Sequence, residues 1–341
     1  MSKAKVTIKD IAGRVGVSQS TVSRALAGHS AISEETRQRV VHAARQLEYP
    51  EKPVVSPRAP TRMIGVVVAA LHNQFYVHLL DCLHNELRAF GYHMTLIIDS
   101  LSQTEDYSAF EPLMNQYLDG ILFTTASVDS RLIETLKMTG LPVVLAVRAI
   151  DGMPFDTVEV DNRIAGREAV RHLWELGHRT IGFIMGPKDI STSRDRHRGA
   201  VEWLAQKGID VPQNYTYWTA FTHESGYSSL LGLMNLAKPP TAVVCGNDTI
   251  AIGALEAAHR HHIDVPRKLS IIGFDDIAMA GWEMIQLTTI RQPIAEMAAL
   301  AARRLIEQIR AGRPLPPRHD VLPVSLIRRG TTAPPHAPEL G

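Results

Sequence analysis

Apolar and polar residues recur along this chain with two different periods, and the change falls across a proline-rich stretch. Between Thr7 and Leu47 the period is helical. Ile8, Ile11, Ala12 and Val15 recur at i, i+3, i+4 and i+7 behind Thr7, a hydroxyl residue suited to an N-cap, and Gly16 ends the run. A second short run, SQSTVSRAL, turns Val22, Ala25 and Leu26 to one side, with Ser18 as its cap and Gly28 behind it. A third, EETRQRVVHAARQLEY, follows Ser33 and sets Val40, Ala44 and Leu47 inward. Two short helices joined by a tight glycine-containing turn and closed by a third predict a helix-turn-helix unit.

Beyond Met63 short apolar runs alternate with helical stretches. IGVVVA (64–69), HMTLIID (93–99), GILFTT (120–125) and PVVLAV (142–147) are spaced by helical patterns near 75–90, 107–117 and 130–139, with another near 163–176. The cycle restarts with TIGFIMG (180–186), YTYWTA, TAVVCG and LSIIGF (269–274), spaced by helices near 193–207, 225–235 and 249–261. Near-continuous apolar strands with helices between them predict parallel sheets covered on both faces. The expected fold is an all-α helix-turn-helix head plus an α/β body of two doubly wound parallel-sheet lobes. The expected organisation is a head over 1–49, a linker over 50–62, a body over 63–330 and a flexible tail over 331–341. The lobes are expected at 63–161 and 162–290, each with part of 291–330, the helix near 293–311 crossing between them.

Pro50, Pro53, Pro57 and Pro60 stand in the linker, and this spacing excludes a regular helix through it. An extended, semi-rigid connector is expected. Charge sharpens the division. The formal net charge is +1, yet residues 1–62 hold eleven Lys/Arg against five acids, a net of +6, and the remainder carries −5. A basic head on an acidic body points to a polyanionic partner for the head.

Other features narrow the function. No run of about 20 apolar residues marks a membrane span, and MSKAKVTIKD has no apolar core of a secretory signal, so a cytoplasmic protein is expected. Cys82 and Cys245, the two cysteines, sit in or behind apolar runs as buried thiols. No metal-ligand spacing, phosphate loop, dinucleotide fingerprint or nucleophile elbow is present, so neither an enzyme nor a cofactor is implied.

In a helix-turn-helix the start of the second helix enters the major groove. Here that start offers Ser18, Gln19, Ser20, Thr21, Ser23 and Arg24. Glutamine can pair adenine in bidentate fashion and arginine can pair guanine. Hydroxyls of Thr7, Ser18, Ser33 and Thr36 stand at helix starts, where they suit both capping and phosphate contact. In the body, open parallel sheets bind ligands beyond the carboxyl ends of their strands. The residues released there are Asn73, Phe75 and Tyr76; Arg148; Ser193, Arg194 and Arg196; Asn247 and Asp248; Asp275 and Asp276. Planar polar groups suit vicinal hydroxyls or a carboxylate, and aromatic faces suit a sugar or base. Arg148, Arg194 and Asp275 are the stronger candidates. Arg196 and Arg198 equally suit a solvated helix face, Asp276 a turn, and Asn247 and Asp248 a helix cap.

The stretch VTIKDIAGRVGVSQSTVSRALAGHSAISEETRQRVVHAARQLEYP resembles the head of the LacI/GalR family of bacterial transcription regulators. GHRTIGFIMGP, SRDRHRGA, TAVVCGNDTIAIGAL, LSIIGFDD and LTTIRQP extend the resemblance through the body to about Gly330. The resemblance implies a repressor that binds double-stranded operator DNA as a homodimer. It implies a sensor related to periplasmic sugar-binding proteins, with an effector (a sugar, sugar phosphate, sugar acid or nucleoside) between the lobes. It carries effector contacts onto Phe75, Tyr76, Arg148, Arg194, Asn247 and Asp275, with Ser193 beside them. It adds one aromatic of YTYWTAFTHESGY, Phe221 by its spacing to Gly226 and Trp218 second. The competing class is a free sugar-binding protein or a carbohydrate enzyme on the same α/β fold, and the basic head with its reading helix speaks against both. One departure stands out. Relatives follow the tyrosine at position 49 with a short hinge helix ending in leucine, whereas this chain reads PEKPVVSPRAP.

Overall fold

The computed structural model describes residues 6–26, 32–47, 49, 60–69, 71, 73–99, 116–125, 140–150, 153, 155–313 and 315–335. The chain divides into two compact units, Met1–Pro60 and Thr61–Gly341. The linker over 50–59, most of the helices expected near 107–117 and 130–139, and the tail from 336 lie outside the described residues; the start of the tail expected to be flexible over 331–341 is instead held on the body, with Thr331 buried and its hydroxyl donating to the Ile271 carbonyl at 2.7 Å.

The first unit holds helices α1 (Ile8–Val15), α2 (Gln19–Leu26) and α3 (Glu34–Gln46). Their shared core is Ile11, Ala12, Val15, Val22, Ala25, Val40, Ala43 and Ala44, with Ile8 and Leu47 partly buried against it; Leu26, which the helical period also sets inward, is 37% exposed instead. Thr7 opens α1 with a capping box: its N–H and its Oγ1 both donate to the Asp10 carboxylate, at 2.8 and 2.7 Å. Gly16 closes α1 in the left-handed region, φ 75°, where a side chain would be strained. The Arg39 guanidinium donates to the Val15 carbonyl at 2.9 Å and ties α3 to the end of α1.

The second unit runs β1 (Met63–Val68), α4 (Gln74–Ala89), β2 (His93–Ile98), β3 (Gly120–Phe123), β4 (Val143–Ala146), β5 (Asp156–Val160), α5 (Asn162–Glu175), β6 (Ile181–Met185), α6 (Ser191–Gln206), β7 (Thr216–Trp218), α7 (His223–Met234), β8 (Ala242–Cys245), α8 (Asp248–Arg260), β9 (Ser270–Asp275), β10 (Thr288–Arg291), α9 (Ile294–Ala311), β11 (His319–Leu322) and β12 (Ser325–Ile327). Two six-stranded sheets result, in the orders β11-β5-β4-β3-β1-β2 and β12-β10-β9-β8-β6-β7. Every described pairing is parallel except the antiparallel edge pair β10–β12. The central strands β3, β4, β6, β8 and β9 are buried along their whole length, which is why their sequences are apolar without alternation.

Two details differ from the sequence reading. The edge strands β11 and β12, and β10 beside β12, carry no long apolar run, and β11 alternates between exposed and half-buried residues, so only sheet pairing defines it. Helix α9 does not cross between the lobes. It packs on α4 and on β3, β4 and β5, and Gln292–Pro293 make the crossing before it. At the other end of the body, the chain arriving from the linker is pinned: the backbone N–H groups of Thr61 and Arg62 donate to the two Asp119 carboxylate oxygens at 3.0 and 2.8 Å.

The second lobe packs histidines, one buried and one half-buried, that its stability needs neutral. His197 lies against the rings of Phe183 and Trp218, with centroids 5.1 and 4.9 Å away. His172 meets the Thr332 hydroxyl at 3.0 Å. Burial, with nearby Lys188 for one and Arg328 for the other, pushes each imidazole down to about 4. Unfolded histidine protonates near 6.5, so as pH falls from about 6.5 to about 4 the unfolded chain takes up protons that the native lobe refuses. Stability should therefore fall across that window, on the order of 2–3 kcal/mol per imidazole at full effect. Thermal melts at pH 7.5 and pH 4.5 check this, and equal melting temperatures would contradict it.

Candidate functional site

In the head, the residues at the start of α2 stand outward. Gln19, Ser20, Ser23 and Arg24 are exposed and Thr21 is half-buried, while Val22 and Ala25 of the same helix enter the core. Ser18 accepts the Thr21 N–H at 3.1 Å and also meets the hydroxyls of Ser20 and Thr21. Ser33 accepts the Thr36 N–H at 3.3 Å and donates to the Thr36 hydroxyl. These hydroxyls cap their helices and still face water. Gln19 and Arg24 thus present fork-shaped donors and acceptors on a rigid, exposed helix, the geometry that base-edge readout requires.

In the body, a cleft of about 650 Å³, measured to its open mouth, runs between the carboxyl ends of the two sheets. The first lobe lines it with Asn73, Phe75, Tyr76 and Arg148; the second with Arg196, Phe221, Asn247 and Asp275. Each arrives by a local rule. Asn73 caps α4 by accepting the Phe75 N–H at 3.0 Å, which starts the helix so that Phe75 and Tyr76 face inward. Asn247 caps α8 through the Ile250 N–H at 2.9 Å and also lines the cleft, so it does both things its position allowed. Asp248 behind it is fully buried; it accepts from the Thr289 hydroxyl at 2.6 Å and the Ile277 N–H at 2.9 Å, and burial raises its pKa well above the usual carboxylate range. Phe221 reaches the cleft because Gly186 has no side chain: a Cβ there would lie 2.2 Å from the Phe221 ring.

The structure separates the two arginines that the sequence placed together. Arg194 does not line the cleft. It forks onto its neighbour Asp195, with Nε and Nη2 each 3.0 Å from a carboxylate oxygen, and its side chain is 40% exposed. Ser193 is buried in α6 outside the cleft lining. Arg196 takes the inward place. Its Nε donates to Asn162 at 3.0 Å, its Nη1 to the Gly246 carbonyl at 2.7 Å and its Nη2 to Asp275 at 3.4 Å, with Phe274 stacked 4.7 Å away. Helix α6 begins at Ser191, and its buried face runs Thr192, Arg196, Ala200 and Leu204 at intervals of four. Counting back from Leu204 and Ala200 would have found Arg196 in the sequence. Position 194 is rotated about 200° from position 192 on that helix and faces outward.

Burial weakens both charges of the Arg196–Asp275 pair: it raises the Asp275 carboxyl and lowers the guanidinium, and their mutual attraction offsets part of each shift. Gln292, which the sequence did not mark, donates to Asp275 at 2.7 Å and joins the cleft from the lobe crossing. Asp276 is structural: it receives Arg291 and Arg329, each at 2.6 Å. Among the described residues no group of His, Cys, Asp and Glu could hold a metal ion, and no helix is long and apolar enough to cross a membrane.

Comparison with known proteins bears on both units of the chain. Residues 7–51 match the family model for bacterial regulatory proteins of the lacI family, and residues 170–332 match a periplasmic binding protein-like domain. The HTH-type transcriptional repressor CytR of Escherichia coli (strain K12) is 34% identical over 331 residues, 96% of each chain. The HTH-type transcriptional regulator DegA of Bacillus subtilis (strain 168) is 32% identical over 337 residues, 97% of this chain and 99% of that one. Among solved structures, the transcriptional regulator CelR–cellobiose complex superposes with a TM-score of 0.75 at 27% identity, over 96% of this chain and 99% of that one.

Proposed function

Because this chain belongs to the LacI family of bacterial transcriptional regulators, we propose that it is a repressor whose grip on operator DNA is set by a small hydroxylated effector held between the lobes of its body. The observation that carries this reading is that one chain joins an exposed reading helix to a cleft lined from two separate sheets. Neither a free binding protein nor an enzyme has a use for the first.

Phe75, Tyr76 and Phe221 offer flat apolar faces, while Arg148, Arg196, Asn247 and Asp275 offer hydrogen-bonding edges, a mixture suited to a sugar-like molecule. A ligand touching both lobes stabilises the arrangement in which the two walls are closest. It can bias DNA binding only through its differential affinity for the two arrangements, on the usual scale of about 1–3 kcal/mol. One head makes few contacts, so a homodimer on a near-palindromic site supports the reading best, with the second docking made intramolecular by the first.

The test uses the full chain and a duplex enriched by it from a random pool. Arg24→Ala should weaken binding in a gel-shift titration by about 10- to 100-fold and leave thermal stabilisation by cleft ligands unchanged. Equal affinity of the variant and the parent would overturn the assignment of the reading helix.

A further inference from the structure

Among the described residues two arginines line the cleft, and a carboxylate balances one of them. Arg196 faces Asp275. Arg148 is 4% exposed and its partners among the described residues are neutral: its Nη1 donates to the Thr125 carbonyl at 3.2 Å and its Nη2 to the Tyr76 hydroxyl at 3.3 Å. Its Nε is buried and donates to nothing. Among the described residues no carboxylate pairs with it; the nearest link to one is indirect, through Thr125, whose hydroxyl donates to Asp99 at 3.0 Å. A guanidinium taken out of water without a counter-ion is costly, and proteins seldom keep one unless something else supplies the charge.

The backbone holds Arg148 where it is. The residue before it, Val147, sits at φ 73°, a left-handed conformation that is strained for a β-branched side chain. Val147 follows β4 at the cleft and donates its N–H to the Val158 carbonyl at 2.9 Å. Across the cleft lining a second polar atom also lacks a partner: Gln292 spends its amide N–H on Asp275, and its Oε1 is buried and accepts nothing. Among the described residues the site therefore contains a cation with no counter-ion and an unpaired Nε–H, and an unmatched acceptor.

We propose that the effector is a polyhydroxy acid whose carboxylate docks on the Nε–Nη2 edge of Arg148 while a hydroxyl donates to Gln292. This inference rests on the cleft being the effector site and names the chemical class it takes. A planar carboxylate matches one guanidinium edge in bidentate fashion, and its single negative charge equals the one positive charge left after Arg196 and Asp275 cancel. A phosphate ester would bring more charge than the described lining balances, and a neutral sugar or nucleoside would leave Arg148 buried and unpaired.

The experiment is a matched panel on the full-length protein, read by thermal shift and then by calorimetry: glucuronate, galacturonate and gluconate, the corresponding neutral sugars and sorbitol, glucose 6-phosphate, and uridine. At least one acid should bind about tenfold or more tightly than its neutral counterpart. Arg148→Gln should erase that preference while retaining weak binding of both, and Arg148→Lys, which keeps the charge but loses the fork, should fall between. A neutral sugar or uridine binding as tightly as every acid would overturn the inference and leave the proposed function standing, as would glucose 6-phosphate binding best. An acid whose affinity is the same in Arg148→Gln as in the parent would overturn it too. If no compound shifts the melting of the parent, both the inference and the sensor reading fail, whereas the DNA titration with Arg24→Ala still judges the head by itself.

Discussion

Arg196→Met is expected to remove ligand binding from the cleft and to lower the unfolding free energy by about 3–5 kcal/mol. The methionine refills much of the volume but leaves three acceptors behind. Asn162 and the Gly246 carbonyl lose their donors, and Asp275 keeps only Gln292. Burial already pushes the Asp275 carboxyl up with Arg196 in place, so without it the charged form loses its main offset. Urea denaturation at pH 7.5 reads the stability, and Asp275→Asn added to Arg196→Met should recover part of the loss, since the penalty lies in the stranded carboxylate. Arg194→Ala is the contrast. Its ion pair with Asp195 is half open to solvent, and the change should stay within about 0.5 kcal/mol. A comparable loss from the two variants would mean that α6 had been turned the wrong way.

The second large effect is steric. Helices α5 and α6 touch through glycines: a Cβ on Gly166 would stand 1.8 Å from the Arg196 carbonyl oxygen, and one on Gly199 would stand 2.0 Å from that of Arg163. Both obstacles are backbone, which cannot rotate away. Gly166→Ala should therefore separate the two helices, cost about 1–3 kcal/mol or more and carry Arg196 out of register with Asp275. Gly13 gives the opposite result. It lies inside α1 with nothing within 4 Å of a built Cβ, so Gly13→Ala should stabilise the head by about 0.5–1 kcal/mol. Chemical denaturation of the two variants checks the pair of signs, and a stabilised Gly166→Ala would refute the close packing.

The same contact explains where sequence reasoning stopped. The head was legible because each of its signals is local: hydroxyl caps at Thr7, Ser18 and Ser33, helical spacing of the core residues and a left-handed Gly16 all act within one or two turns. The body's two parallel sheets were legible because strands buried on both faces must be apolar throughout. Phe75, Tyr76, Arg148, Asn247 and Asp275 line the cleft because the chain leaves a parallel strand at its carboxyl end, whatever its partners are, while Phe221 came from the family resemblance alone.

What remained beyond the sequence depends on pairs of distant residues. A strand such as β11 exists only because β5 lies beside it. Gln292 enters the cleft only because the crossing back to the first lobe passes Asp275. Within SRDRHRG the sequence offers three arginines at two-residue spacing; helical rotation puts them on different faces, and the face that turns inward is fixed by where α6 starts and by how closely Gly166 lets it approach. The sequence by itself determined two folds, the exposed face of the second head helix and the sheet edge that lines the cleft. The tertiary structure decided which charges meet at that edge, because burial and pairing are properties of the space between segments and are written in no single one of them.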